Sequence, residues 1–182
     1  MVVVLCAVVA LCLPEWWCYE NGPVEYGQMV VLACCLLRCC RVTHHRELFA
    51  WGAFLLLLFM LREVNCGRTL FLQVPDAPHT FRRWSEVPFG CVVQGSYAAM
   101  VVGVVCWFFL RRLYRSLWQL WRMVPVPAGL VLTGLAAMGA AQCWECVSGG
   151  FRYEEPAELV AYAALLATIC HYAGGRKAAP QQ

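Results

Sequence analysis

Residues Val92 to Leu110 read VVQGSYAAMVVGVVCWFFL, nineteen positions without a charged side chain. At about 1.5 Å per residue, a helix of that length covers most of the ~30 Å hydrocarbon layer of a bilayer. Arg111 and Arg112 follow at once, and short cytoplasmic loops collect Lys and Arg. The stretch predicts a membrane-spanning helix that ends at the inner face.

The rest of the chain has the same character. Of 182 residues 62% are hydrophobic and only 14% charged, with mean hydropathy +0.61. A soluble domain runs nearer half apolar and a quarter charged, so this excess cannot be hidden in one core. A soluble enzyme, a disordered regulator and a secreted disulfide scaffold are thereby excluded. Six apolar stretches predict spans: Val2 to Trp17, Tyr26 to Cys40, Leu48 to Leu61, Val92 to Leu110, Val124 to Cys143 and Ala157 to Tyr172. The third is short enough to be a buried hairpin, and needs Arg46 and Arg62 to reach the interfaces. The expected fold class is all-α, a polytopic membrane helix bundle of about six transmembrane helices. Residues 1–173 form one bundle domain, 65–91 an outer cap loop, and 174–182 a disordered cytoplasmic tail.

Charge sets the expected orientation. With both termini inside, the cytoplasmic side receives Arg38, Arg41, Arg46, Arg111, Arg112, Arg115, Arg122, Arg176 and Lys177. Ten of the eleven acids then fall outside, leaving Glu47 within. The net charge of +3 is thus a topology signal for an inner (plasma) membrane protein, and nucleic acid is not an expected partner. Trp16, Trp17, Tyr19, Tyr26, Trp51, Trp144 and Tyr153 stand where headgroup-level aromatics would.

Between spans four and five, Leu113, Leu117, Leu120 and Val124 recur at helical spacing. They predict an inner interfacial amphipathic helix over Arg111 to Arg122, whose Arg111, Arg112, Arg115 and Arg122 meet anionic lipid. Span five, rich in Gly and Ala, is expected to be the most enclosed helix, or else the face of a homo-oligomer.

Acidic motifs converge on the outer side: Glu20 and Glu25 before and in span two, Arg62-Glu63 with Asn65 after span three, and Glu154, Glu155 and Glu158 around Pro156, expected in the first turn of span six. A carboxylate at the edge of an apolar run is costly unless paired, protonated or wet. The candidate binding set is Glu20, Glu25, Arg62, Glu63, Arg82, Arg83, Glu155 and Glu158. It reads as an ion-pair network locking helix ends, as a site for a divalent cation or a cationic or hydroxylated substrate, or as acid–base machinery built on Glu63, His79 and Glu158. Among the thirteen cysteines, Cys143 and Cys146 form a C-x-x-C, and Cys66 and Cys91 bracket the cap loop, a pair of pairs suited to thiol–disulfide exchange. No phosphate-binding loop, nucleotide fingerprint, nucleophile elbow or haem-attachment motif is present.

The E-N-G-P-x-E stretch at Glu20 to Glu25, the R-E-x-[DN] at Arg62 to Asn65 and the E-E-x-x-E at Glu154 to Glu158 resemble, in order and over most of the chain, a family of small bacterial inner-membrane proteins of uncharacterised activity. Asn65 stands where that pattern favours Asp. The turn from Trp17 to Pro23 is faintly similar to the entry turn of ceramidase-type membrane hydrolases, which would imply zinc held by histidines. His44, His45, His79 and His171 contain no His-x-x-x-His. The expected function is therefore that of an integral inner-membrane structural or partner subunit, homo-oligomeric or bound to a membrane partner. Lipid hydrolysis and thiol oxidation are the alternatives.

Overall fold

The computed structural model describes residues 11–18, 22–72, 74, 81–146 and 151–174. Most of the first expected span, the motif residue Glu20, the candidate base His79, and the tail with Arg176 and Lys177 lie outside them. The described residues are helical and form no strand beyond an isolated bridge at Phe81. Six helices longer than one turn follow a short 3-10 turn at Glu15–Cys18: α1 Pro23–Cys40, α2 Arg46–Glu63, α3 Gly90–Leu110, α4 Leu113–Met123, α5 Ala128–Glu145 and α6 Phe151–Gly174.

Local chemistry sets most of these boundaries. Pro23 opens α1, where its fixed φ suits the first turn and its missing N–H would have no partner. Asn65, Cys66 and Gly67 all have positive φ and end α2 in a tight left-handed turn. Such a φ is easy for Gly, tolerable for Asn and strained for Cys. Arg112, at φ 52°, makes the corner between α3 and α4.

Three helices are long and apolar enough to cross a membrane: Pro23–Cys40, Gly90–Leu110 and Tyr153–Gly174. α2 has eighteen residues, but Arg46, Glu47, Arg62 and Glu63 occupy its two ends. The apolar part of α5, Ala128–Trp144, is shorter.

α6 packs most extensively on α5 and also lies along α1, while α1 pairs with α2 and α2 with α3. The α2–α3 contact carries two side-chain bonds: Tyr97 Oη donates to the Leu58 carbonyl at 3.3 Å, and Trp51 Nε1 to the Val104 carbonyl at 2.9 Å. The two pairs run in opposite senses along the chain, so the helices are antiparallel. Trp51 is therefore turned onto a neighbouring helix rather than standing as a headgroup anchor. The core between α1, α2 and α6 is built from Leu32, Cys35, Phe49, Leu56 and Tyr162, and Leu113 and Leu120 of α4 pack into the same cluster. The amphipathic stripe expected of α4 is thus spent on the bundle.

Three expectations are corrected. α5 begins at Ala128 rather than Val124, because Pro125 and Pro127 hold the preceding backbone out of helical geometry. α6 begins at Phe151, so Pro156 lies inside it rather than in its first turn; burial of Ala157 and Glu158 on the same turn holds the helix through the proline. α5 is not the most enclosed helix. Ala137, Ala140 and Ala141 are buried and Gly134 faces Ala164, but Leu132 and Leu135 are exposed and a Cβ at Gly129 or Gly139 would meet open space. Small residues permit close approach on one face only, and here that face is turned to α6.

Candidate functional site

Polar side chains gather where α1 and α6 begin and α2 ends. Each comes from a helical repeat inside an apolar segment. Glu25 and Gln28 are three apart on α1, Arg62 and Glu63 close α2, and Glu155, Glu158 and Tyr162 stand three and four apart on α6. That spacing puts the α1 pair on one helix face and the α6 trio on another, while Arg62 and Glu63 are neighbours at the end of α2.

Arg62 is the hub. Its guanidinium bonds to Glu158 Oε1 of α6, and its Nε lies 3.6 Å from Glu63 Oε1. Glu63 in turn accepts from Tyr162 Oη at 2.6 Å. Gln28 Nε2 donates to the Glu155 carboxylate at 2.8 Å and to its carbonyl at 2.9 Å, tying α1 to α6. Glu25 is buried within electrostatic range of Glu63 and Glu155. The side chains of Glu63 and Glu158 are only 6% and 3% exposed, whereas that of Arg62 is 41% exposed. Arg62 opens onto a cleft of about 280 Å³ lined also by Asn65, Cys66, Trp84, Gln94 and Tyr97.

The structure thus brings together Glu25, Arg62, Glu63, Glu155 and Glu158 of the sequence-derived binding set. It leaves Arg82 and Arg83 exposed. Arg83 heads a 3-10 turn in which its backbone N–H donates to Glu86 at 3.2 Å, and Trp84 of that turn bonds to Asn65 at 3.3 Å. The segment before α3 therefore reaches the turn after α2 through Trp84. Gln28 and Tyr162 are the members missed by reading charge alone. Their signal was the i, i+3 and i, i+4 spacing from Glu25 and Glu158.

Among the described residues no three His, Cys, Asp or Glu side chains converge as a metal ion would require. The carboxylates instead face a guanidinium, a phenol and an amide, all donors. His44 and His171 lie at the other end of the bundle, beside the backbone carbonyls of Tyr172 at 3.3 Å and Pro125 at 2.9 Å. The twelve described cysteines are free thiols, Cys66, Cys91, Cys143 and Cys146 among them. Burial pushes the Cys66 thiol up, away from the thiolate that exchange chemistry uses. No family profile, curated protein or solved structure matches the chain.

Proposed function

We propose that the chain is a six-span inner-membrane protein with both ends cytoplasmic, and that it serves as a structural or partner subunit. Its carboxylate–arginine–tyrosine cluster is the lock that fastens three helices at the outer mouth. The carrying observation is that acids of two helices, the side chains of Glu63 and Glu158 nearly closed to solvent, meet donors from other helices: Glu158 with Arg62, Glu63 with Tyr162, Glu155 with Gln28. A catalytic carboxylate or a cation site leaves acceptor oxygens turned toward a ligand, whereas here they are turned toward other helices. The three acidic motifs of the sequence supply Glu25, Arg62, Glu63, Glu155 and Glu158 to this cluster. α3 is only 6% buried along its membrane-length stretch and leaves a broad apolar face open to lipid or to a partner helix.

Two measurements test this. Reporter fusions at Thr43, Asp76 and Gly174 should place Asp76 opposite the other two, and Thr43 and Asp76 on one side would refute six spans. Mg²⁺ or Ca²⁺ should leave the melting temperature of the detergent-solubilised protein unchanged. Stabilisation by either ion that Glu63→Gln abolishes would replace the lock with a cation site.

A further inference from the structure

The end of the bundle opposite the acid cluster holds a feature that the lock does not use. α2 and α6 meet at the cluster, and toward the start of α2 and the end of α6 a groove of about 530 Å³ opens between them. That volume is within the ~300–1,000 Å³ range of small-molecule sites. On α2 the lining runs from Leu48 to Phe59, which at about 1.5 Å per residue is roughly 16 Å, so the space is long rather than round. Its wall is almost wholly apolar. Tyr172 at one end is 7% exposed, and its buried hydroxyl has no hydrogen-bond partner among the described residues. α4 closes one side with Leu117, Leu120 and Trp121 and carries Arg115 and Arg122 on the same short helix.

We infer that this groove holds one acyl chain of an anionic phospholipid whose headgroup phosphate is met by the arginines of α4. Shape and polarity suit a hydrocarbon chain, and the uncompensated charge of α4, carried on the exposed face of that helix away from the groove wall, is positive. Arg111 is engaged by Glu47, while Arg112, Arg115 and Arg122 have no carboxylate within salt-bridge distance among the described residues. Arg122 lies over the Trp118 ring at 5.5 Å, at a residue that is itself half exposed, an arrangement suited to the headgroup level. The Tyr172 hydroxyl is a donor for an ester carbonyl at the head of the chain. The inference rests on the membrane reading and is independent of the lock.

The test is native mass spectrometry of the full chain in detergent, titrated with palmitoyl-oleoyl phosphatidylglycerol or with phosphatidylcholine of the same chains. The wild type should take up one phosphatidylglycerol, with about tenfold weaker binding of phosphatidylcholine. Arg115→Gln/Arg122→Gln should abolish that preference and keep chain binding. Gly52→Leu should fill the groove and weaken both lipids about tenfold, since a Cβ there meets only the Cys39 sulfur, at 3.9 Å. In a second measurement, one equivalent of phosphatidylglycerol with brominated chains should quench the fluorescence of the wild type more than that of Trp51→Phe/Trp121→Phe. Lipid uptake without a saturating single adduct, full binding by Gly52→Leu, equal quenching in both proteins, or a groove occupied by a second copy of the chain would each overturn the inference. Glu63→Gln should bind lipid as the wild type does, which separates failure here from failure of the lock.

Discussion

Replacing Arg62 by Met removes the hub of the polar cluster and leaves Glu158 in place. The Glu158 side chain is 3% exposed, so its charge loses the guanidinium without gaining water. Breaking a buried ion pair from one side costs about 3–5 kcal/mol. Arg62 is 41% exposed, and a solvated partner contributes less, so the lower end, ~3 kcal/mol, is the expectation. For a chain of this size that corresponds to a fall of about 6–12 °C in the melting midpoint. Tryptophan fluorescence and circular dichroism of the protein in one fixed detergent would follow it. The decisive member of the set is the double variant Arg62→Met/Glu158→Gln, in which no unpaired carboxylate remains on α6 at that position. About half of the lost stability should return, a coupling of ~1–2 kcal/mol between the two sites. A single variant that melts within about 1 °C of the wild type, or a double variant that loses the sum of both singles, would refute the ion-pair argument.

Other substitutions probe separate contacts. Tyr162→Phe removes the 2.6 Å hydrogen bond to Glu63 and should cost ~2 kcal/mol in the same melt, the range for a bond to a charged group. Glu47→Gln should change stability by less than about 0.5 kcal/mol, because the side chains of Glu47 and Arg111 are each 58% exposed. Gly90→Ala should be far more damaging than its single methyl suggests. Its Cβ would stand 1.9 Å from the Trp84 carbonyl oxygen, so the turn before α3 must move, which limited proteolysis between residues 72 and 90 would detect.

The apolar blocks were legible in the sequence because membrane insertion writes itself as length and lack of charge. α1, α2, α3, α5 and α6 lie over five of the predicted stretches. The helix ends were less legible, since Pro125, Pro127 and Pro156 act through backbone geometry and neighbouring burial, and identical residues have opposite effects at the start of α5 and within α6. The acid cluster was half visible. Charge singled out Glu25, Glu63 and Glu158, but Tyr162 looks like one more aromatic in an apolar helix until Glu63 is seen beside it. Arg82 and Arg83 misled for the converse reason: opposite charge in a loop says nothing about which way the loop carries it. The groove left no trace in sequence, because a gap between two helices belongs to neither of them.

The lock also constrains how the protein can be made. Arg62 and Glu158 are 96 residues apart and Gln28 and Glu155 are 127 apart. During synthesis α1 and α2 therefore leave the ribosome with Gln28, Arg62 and Glu63 lacking their α6 partners, and α3, α4 and α5 must all follow before α6 arrives. Until then the half-built bundle presents an arginine and several acids to the translocation machinery or to lipid. A chain stalled before residue 151 would carry those groups without the α6 side chains that meet them. α6 is in this sense the helix that completes α1 and α2.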